Sequence, residues 1–434
     1  MAWLAVVIVL VASACDPATP SGAPSSTASP SVPATTSPPS ASAAVPSASI
    51  APPSASPNAE IDAIYDAVEE QVIAIRGLKP VRPVERQFLS EPELRAAITK
   101  LFDEETPPAY LAANDRLYKA LGLIPTTSNL RDLTLELLSG AVAGFYRSDQ
   151  GKLYLVSKTG TPGPTERMYF AHEYDHALQD QNSTIFKDQD GVLDQGDRIG
   201  ARQAIYEGDA TLLMSQWAAS NLSQAELLEA LSSGSDPDAV AALTRAPAIL
   251  RETLLFPYNN GFLYVRGVQA SGGWPAVNAY FKAMPESTEQ ILHPEKYTAG
   301  ERPVKVTLPA DLATRLGAGW TVPLQDTFGE YQLGIWLREN GVDTAVAKDP
   351  SAGWGGDRLA VMEGPQGAWG VVLETTWDTE TDANEFTDAA QAAVDGLPHK
   401  ADISTPTAKG ITILIASDDA TLQALDVIFG ATGV

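Results

Sequence analysis

Two histidines and one glutamate have the types and spacing that metal chemistry requires. They lie in residues 170–181, F-A-H-E-Y-D-H-A-L-Q-D-Q, which contain the pattern H-E-x-x-H. Residues four apart share one face of a helix, so His172 and His176 can direct their imidazoles at one metal ion. Glu173 then faces the open side of that ion, where its carboxylate can accept a proton from a water that the metal activates. The pattern predicts a hydrolytic site with one Zn²⁺.

The element that must position these side chains is a helix. Pro162 and Pro164 precede the motif, Thr165 is a candidate N-cap, and neither Pro nor Gly interrupts residues 166–181. The chain has only 4 His, and two of them fall in the motif, which favours a metal site over a chance match. The alternative is an amphipathic helix whose histidines are simply half-buried.

A catalytic zinc needs a third protein ligand, because two histidines alone make a weak site. The longer pattern H-E-x-x-H-x-x-G-x-x-H would supply a third histidine. In this chain Gln179 and Asn182 stand where that pattern needs Gly and His, so the metzincin class of site is excluded.

A second helical stretch follows, in which residues 204–211 read A-I-Y-E-G-D-A-T. This segment resembles the second zinc-binding helix of the gluzincin metallopeptidases, where the glutamate of E-G-x-A is the third ligand. The resemblance implies that Glu207 binds the zinc and that Gly208 allows the two zinc-binding helices to approach each other closely. Asp209 and Asp180 are alternative ligands. Asp180, one turn beyond the second motif histidine, could instead support an imidazole.

Several gluzincins also use a downstream His or Tyr to donate a hydrogen bond to the tetrahedral oxyanion. His293 and Tyr258 are the candidates here, and a purely structural role is equally open for each. Residues 120–300 as a whole resemble exported bacterial gluzincin-like metallopeptidases that carry H-E-x-x-H-A-L-Q-D-Q and E-G-D-A segments.

Residues 1–15 are typical of a lipoprotein signal peptide. The apolar residues 2–14 are too few to span a bilayer as a helix, and they suit a signal core. V-A-S-A-C at residues 11–15 resembles a lipobox, which implies that Cys15 is lipidated. No Lys or Arg precedes the apolar run, and an ordinary secretory signal is the alternative. Cys15 is the only cysteine, so an intramolecular disulfide is excluded.

Residues 16–59 predict a disordered, semi-rigid stalk. No charged residue occurs from Pro17 to Ala59, and Ala, Ser, Thr and Pro make up most of the segment. The stalk would hold an exported, extracytoplasmic protein off the cell membrane to which its lipid is anchored. The net charge of −25 argues against nucleic acid as a partner.

Residues 60–325 are predicted to form the catalytic domain, mostly helical with a small sheet. Helices are expected over residues 61–75, 91–102, 110–121 and 130–138. Residues 141–146 and 153–156 flank a polar turn and predict a β-hairpin. A hairpin at this place is typical of zincin-like metallopeptidases, in which an edge strand can pair with an extended peptide.

Residues 326–434 predict a smaller α+β unit. Helices are expected over residues 331–339, 384–394 and 421–429, and strands over 358–362, 369–374 and 411–416. The Gly-rich residues 352–357, A-G-W-G-G-D, are expected to form a turn with an aromatic anchor, since they match no phosphate-binding fingerprint.

Together these features predict an α+β, zincin-like zinc endopeptidase that acts on peptide or protein substrates outside the cell membrane. The alternative is a zincin scaffold without turnover that serves as a cell-envelope binding or structural lipoprotein. The intact Glu173 favours the enzyme, because binding alone needs no general base. Hydrolysis of a non-peptide bond is a further reading that the sequence leaves open.

Overall fold

The computed structural model describes residues 5–8, 57–156, 161–184, 186, 192–233, 237–342 and 349–430. Cys15, most of the proposed signal peptide and almost all of the proposed stalk lie outside these residues. The described chain is mixed α and β with helices predominating, which confirms the predicted α+β class. Within the described ranges, no helix combines the length and apolarity needed to cross a bilayer.

Four helices open the folded part, close to where the apolar periodicity predicts them. They are α1 Pro57–Arg76, α2 Glu91–Glu105, α3 Pro108–Ala120 and α4 Leu130–Ala141. In α1, Tyr65, Val68 and Val72 are buried at helical spacing. Arg76, the last residue of α1, is also fully buried, so the buried face of the helix ends in a cationic side chain.

The hairpin is present, and it lies inside a larger sheet. The strands are β1 Ala5–Ile8, β2 Glu85–Leu89, β3 Val142–Arg147 and β4 Lys152–Val156, in the order β1-β3-β4-β2. In the antiparallel hairpin, Phe145 of β3 lies opposite Tyr154 of β4. Strand β2 pairs in parallel with β4, and β1 pairs antiparallel with β3. Both outer sides of the hairpin are therefore paired in this structure, by β2 and by β1, and β1 lies within the predicted signal peptide.

The two helices expected to carry the metal ligands are α5 Pro164–Asn182 and α6 Gly196–Asn221. The predicted N-cap Thr165 is wrong by two positions, since Gly163 is the N-cap of α5 and Pro164 is its first helical residue. Proline is favoured there because the first turn has no intrahelical partner for its N–H groups. The Glu166 carboxylate accepts the Gly163 N–H at 2.5 Å and completes the cap.

The next region is helical and packs around α6. It comprises α7 Gln224–Ser233, α8 Pro237–Arg245, α9 Ala248–Phe256, a π-helix Pro257–Gly261, α10 Phe262–Tyr280, α11 Thr288–Leu292 and α12 Pro294–Ala299. Helix α10 is interrupted at Gly273, whose φ of 67° is the left-handed conformation that glycine adopts readily. The chain therefore turns just ahead of Trp274 and Pro275.

The C-terminal unit is an antiparallel sheet with helices on its faces. Its strands are β5 Thr321–Asp326, β6 Trp354–Glu363, β7 Trp369–Trp377, β8 Lys400–Thr407 and β9 Gly410–Ala416, in the order β5-β6-β7-β9-β8. Its helices are α13 Leu312–Leu316, α14 Gly329–Glu339, α15 Glu380–Asp395 and α16 Asp419–Phe429, with a 3₁₀ turn at Pro365–Gly367. The turn expected at residues 352–357 is largely wrong, since Trp354–Asp357 begin β6. Trp354 is nevertheless a buried anchor that donates to the Asp357 carboxylate at 3.0 Å.

The predicted domain boundary between residues 325 and 326 falls inside strand β5. Strand β5 belongs to the C-terminal sheet, and Leu312 of α13 packs with Phe429 of α16. The two units also share a core, because Leu117 of α3 packs in the same cluster as Trp336 and Phe386. The Trp336 indole N–H donates to the Leu121 carbonyl at 3.1 Å, which fixes α14 against the end of α3.

Candidate metal centre

Helices α5 and α6 bring three side-chain ligand atoms together. The Nε2 atoms of His172 and His176 are 3.0 Å apart, and their ring planes are inclined by 82°. The Oε2 atom of Glu207 lies 3.1 Å from the first Nε2 and 3.3 Å from the second. A tetrahedral ion with bonds of about 2.0–2.1 Å separates its ligands by roughly 3.3–3.4 Å. The three atoms, which we call the triad, are therefore spaced much as the ligands of one such ion.

The charges of the triad also suit a cation. The three side chains are at most 5% exposed. Burial lowers the pKa of His172. Burial also acts to lower the pKa of His176, but the Glu207 carboxylate outweighs it and raises the pKa of His176 to about 9. Burial likewise works against ionisation of Glu207, but the charge of His176 lowers the pKa of Glu207 to about 2. In this arrangement a single proton neutralises the buried carboxylate, and a metal ion would replace it.

Gln179 supports the second histidine from one turn along α5. Its Oε1 lies 3.0 Å from the Nδ1 of His176, so the amide oxygen accepts the N–H that leaves Nε2 directed at the triad. The Gln179 amide nitrogen donates to the Tyr206 carbonyl at 3.0 Å and to the Asp175 and Asp209 carboxylates at 3.1 and 3.2 Å. These bonds hold the ring orientation and the tautomer that metal binding requires.

A buried arginine pairs with the two acids beneath the triad. Arg76 donates to Asp209 at 2.8 Å, and its Nε lies 3.6 Å from an oxygen of Asp175. Its guanidinium is stacked 4.5 Å from the centre of the Trp274 ring. Burial and the neighbouring Asp209 carboxylate raise the pKa of Asp175. Asp209, an alternative ligand in the sequence, is thus engaged by Arg76 and Gln179 and is not part of the triad.

Asp180, the other alternative, is also engaged elsewhere. Its carboxylate accepts hydrogen bonds from the Tyr146 hydroxyl at 2.7 Å and from Arg82 at 3.0 Å. It therefore ties α5 to β3, while Gln179 takes the supporting role that the sequence suggested for Asp180.

Glu173 and Tyr258 lie beside the triad. Glu173 is fully buried, and its negative charge contributes to the raised pKa of His176. The Tyr258 ring lies over His172 with the ring centres 6.2 Å apart and the planes inclined by 23°. Burial, followed by the charges of Glu207 and Glu173, raises the pKa of Tyr258, and its hydroxyl is hydrogen-bonded to Glu207. The structure therefore brings Tyr258 to the predicted site.

The structure does not bring His293 to the triad. Its Nε2 lies 2.8 Å from a carboxylate oxygen of Glu330 in α14, and its Nδ1 lies 3.8 Å from Glu295. The hydrogen bond to Glu330 raises the pKa of His293, against the effect of partial burial. The contact with Glu330 links the junction of α11 and α12 to the C-terminal unit. His293 therefore has a structural role.

A second acidic cluster lies around a lysine. Glu289, Glu301 and Asp378 have oxygens close enough to hold an ion. The ammonium of Lys296 contacts all three, at 2.5 Å from Glu289 and 2.8 Å from Glu301. The lysine already supplies the positive charge, so the cluster is an ion-pair network.

An apolar cavity of about 410 Å³ opens beside the triad. Glu207 and Tyr258 line one part of it, and side chains of α2, α4 and α9 form much of its wall. We call this space the apolar cavity; its main apolar residues are Ile98, Leu101, Phe102, Leu138, Leu254 and Phe256. Glu207 is the triad residue that lines it.

Three features of this site carry weak or no signal in the sequence. Gln179 could have been found, since it follows His176 by three residues on one helix face. Arg76 could not, because 133 positions separate it from Asp209. The cavity also escapes sequence analysis, since its walls come from helices whose packing no local pattern specifies.

Comparisons with known proteins give a family match in the C-terminal part of the chain. Residues 315–426 match the family model described as "Domain of unknown function (DUF8575)". This match begins before β5 and covers the C-terminal sheet. No curated protein matches the chain. The chain is similar to a candidate hydrolase with a novel fold from Chloroflexus aurantiacus, at 16% identity and a TM-score of 0.36, over 56% of this chain and 89% of that one. This degree of likeness does not establish a shared fold.

Proposed function

We propose that the chain is a zinc-dependent endopeptidase of zincin-like architecture that hydrolyses peptide or protein substrates. The observation that carries the proposal is the convergence of His172, His176 and Glu207 at mutual distances of 3.0–3.3 Å beside Glu173. Three neutral or anionic ligands next to a carboxylate that is not itself a ligand match the arrangement of a catalytic zinc site.

The chain's own residues have separate tasks in this proposal. Zinc held by the triad would supply Lewis acidity and lower the pKa of a water in its open position toward neutrality. The Glu173 carboxylate accepts a proton from the attacking water and then delivers it to the leaving amine. The Tyr258 hydroxyl donates a hydrogen bond to the oxygen of the scissile carbonyl as negative charge develops there. Gln179 keeps His176 in the tautomer that leaves its Nε2 free to bind.

Burial of the polar centre makes each of these contributions stronger. Electrostatic interactions become weaker as the local dielectric constant rises. A carboxylate and a hydroxyl fixed in a dry site therefore act more strongly than the same groups in water. The Arg76–Asp175–Asp209 network beneath the triad supplies fixed partners and limits side-chain rearrangement.

The alternative function is a zincin scaffold that binds without turnover, and one observation favours it. His172, Glu173, His176 and Glu207 are all nearly inaccessible to solvent. A substrate therefore needs a local opening to reach Glu173. The presence of a general base at this position weighs toward the enzyme, because a binding scaffold gains nothing from it.

Export and lipid anchoring form a further part of the proposal. It rests on the lipobox-like residues 11–15 and on the uncharged stalk that follows them. Membrane partitioning of the full-length wild type and of Cys15→Ser tests it. If the Cys15→Ser variant is released into the soluble fraction while the wild type stays with the membranes, the result supports an anchor at this cysteine. A wild type found wholly in the soluble fraction contradicts it.

The function itself is tested by cleavage of a mixture of unfolded proteins. The purified chain should contain one equivalent of zinc, cleave the mixture, lose activity to a chelator and regain it when zinc is returned. A zinc-loaded protein that leaves every substrate intact would support the scaffold instead.

A further inference from the structure

We propose that a second cavity, between the N-terminal helices and the C-terminal sheet, binds a small organic anion. This space has a volume of about 560 Å³ and lies between α3, the start of α4 and the residues at the turn from β6 to β7. We call it the junction cavity. None of its lining residues belongs to the triad or to the apolar cavity, so the inference is independent of the proposed function.

The wall of the junction cavity reverses the charge balance of the chain. The whole sequence has 54 Asp and Glu against 29 Lys and Arg. The wall instead carries three basic side chains and two acidic ones, together with one of the 4 His of the chain. These residues are Arg116, Lys119, Arg131, Asp115, Glu363 and His399. A local excess of positive charge in an acidic protein favours an anionic ligand.

The two acids of the wall are already engaged by their neighbours. Asp115 accepts the Leu130 N–H at 3.0 Å through one carboxylate oxygen and the Lys119 ammonium at 2.7 Å through the other. Glu363 accepts the Nε–H of Arg116 at 3.1 Å. The acids therefore hold the cations in place at the cavity wall.

The cations keep hydrogen-bond donors that these pairs do not use. A guanidinium has five N–H donors and an ammonium has three. Arg116 uses only its Nε in the ion pair just described, and Arg131 uses its Nε and one Nη on Asp103. Lys119 likewise makes a single hydrogen bond among the described residues. The unused capacity is donor capacity, which the oxygens of a sulfonate, phosphate or carboxylate satisfy with charge-assisted bonds.

His399 adds a group whose protonation responds to the ligand. Its imidazole donates a hydrogen bond to the Lys119 backbone carbonyl, and its Nε2 is buried with no hydrogen-bond partner in the described part of the chain. Burial, followed by the charge of Arg116, lowers the pKa of His399, so the ring is neutral near pH 7 in the free protein. An anion in the cavity offsets the charge of Arg116 and favours a proton on Nε2. The charged groups that share the wall with this ring are Asp115, Arg116 and Lys119 of α3, Arg131 of α4 and Glu363 of β6.

The rest of the wall is aromatic and apolar, which favours an anion with an apolar body. The Trp369 ring lies 5.4 Å from the guanidinium carbon of Arg116 and 4.9 Å from the centre of the His399 ring, which is inclined to it by 84°. Leu111 and Leu130 also line the space. Its volume lies within the range of sites that bury a small molecule. An organic anion contacts both parts of this wall, whereas an inorganic anion contacts only the donors.

The test measures the binding of benzenesulfonate to the full chain by isothermal titration calorimetry. The sulfonate keeps one negative charge across the pH range used. Methyl phenyl sulfone is a neutral compound of similar shape, and sulfate is an anion without an apolar body. We expect benzenesulfonate to bind at least about tenfold more tightly than either, because it alone combines charge-assisted bonds with apolar burial. Absence of binding, or equal affinity for the sulfone or for sulfate, would overturn the proposal.

Arg116→Gln should weaken benzenesulfonate binding by at least about tenfold, because it removes a positive charge and its donors from the wall. Arg245→Gln is the matched control, since Arg245 pairs with Glu136 at 2.7 Å on the surface and does not line the cavity. Lys119→Gln is a second variant of the wall, and thermal unfolding reports whether each variant folds. Wild-type affinity in folded Arg116→Gln and Lys119→Gln would overturn the proposal.

Glu363→Gln should change the affinity in the opposite direction. It removes the acid that competes with a bound anion for Arg116, so benzenesulfonate should bind several-fold more tightly. A wall whose charges served only as ion pairs would lose stability in this variant and gain no affinity. An unchanged or weaker affinity in folded Glu363→Gln would therefore count against an anion site.

His399 should give the affinity a pH dependence of definite sign. The bound anion favours the protonated ring, so its affinity is highest below the pKa of His399 in the free protein and declines as the pH rises through the pKa in the complex. Benzenesulfonate should therefore bind more tightly at pH 5.5 than at pH 8, and His399→Gln should remove most of the difference. The same pH profile in both proteins would overturn the part assigned to His399.

Discussion

Gly208 of α6 and Gly261 at the end of the π-helix are in backbone contact. A Cβ atom on Gly208 would lie 2.4 Å from the carbonyl carbon and oxygen of Gly261, and one on Gly261 would lie 2.2 Å from the carbonyl oxygen of Ala204. The sequence suggested that Gly208 lies where the two zinc-binding helices approach each other, whereas the structure places Gly208 against the π-helix. This contact places Tyr258 against Glu207, so two glycines set the geometry of one side of the triad.

Gly208→Ala should therefore separate α6 from the π-helix. We expect a loss of stability of roughly 1–3 kcal/mol, typical of overpacking, together with weaker zinc binding. Gly267→Ala in α10 is the control, since a Cβ there meets nothing within 4 Å and should be neutral or slightly stabilising. Denaturant unfolding and zinc titration measure both effects. If Gly208→Ala matches Gly267→Ala in both, the contact does not position the site.

Glu207→Gln and Asp209→Asn separate the ligand from the neighbouring acid. Glu207→Gln should lower zinc affinity by orders of magnitude, because it removes an anionic ligand from the triad. Asp209→Asn should keep the zinc but lower stability, because Arg76 loses a charged partner in a fully buried position. Metal content after dialysis and denaturant unfolding distinguish the two variants. Full zinc in Glu207→Gln would place the third ligand elsewhere.

Tyr258→Phe and His293→Ala assign the oxyanion donor. Tyr258→Phe should reduce kcat by about a hundred- to a thousandfold with zinc retained, as loss of one such donor does. His293→Ala should leave kcat within a few fold, because its Nε2 is paired with Glu330. The steady-state kinetics of both zinc-loaded variants on one substrate decide the matter, and the opposite ranking would restore His293 to the mechanism.

Asp326 should make stability depend on pH with a definite sign. Its carboxylate accepts the N–H groups of Gly196 and Thr327, yet burial raises its pKa from an ordinary 3.8 to about 7. Between these values the folded state holds a proton that the unfolded state has lost. The stabilisation is therefore complete below about pH 4 and is lost as the pH rises through 7, by at most about 1.4 kcal/mol per pH unit.

Asp326→Asn keeps an acceptor oxygen and cannot titrate in this range. Its free energy of unfolding should fall less steeply than that of the wild type between pH 4 and 7. Denaturant curves at pH 5, 6, 7 and 8 provide the comparison. Parallel pH profiles for the two proteins would show that Asp326 has an ordinary pKa.

The helices were predictable because their signals are local. Apolar residues at helical spacing place α1, and the H-E-x-x-H spacing alone puts two imidazoles on one face of α5. The exact start of α5 was missed because Thr165 is a good capping residue, whereas Pro164 has the stronger preference for the first helical position.

What the sequence did not show depends on tertiary packing. Strand β2, E-R-Q-F-L, lacks alternation and exists because β4 offers it a parallel partner. Strand β5 joins a sheet whose other strands come later in the chain, and no local pattern indicates that pairing. The sequence equally hides that His293 is paired with Glu330. His293 could therefore be taken for a catalytic residue on its type alone.

The central claim is that Glu173 is a general base beside a zinc ion, and Glu173→Gln tests it most directly. This change keeps the size and shape of the side chain while removing its basicity. Zinc content and the cleavage of unfolded protein substrates are measured on the same preparations of wild type and variant. We predict that the variant retains one zinc and the thermal stability of the wild type, while cleavage falls to near background. Cleavage at the wild-type rate by a zinc-loaded Glu173→Gln would contradict the account.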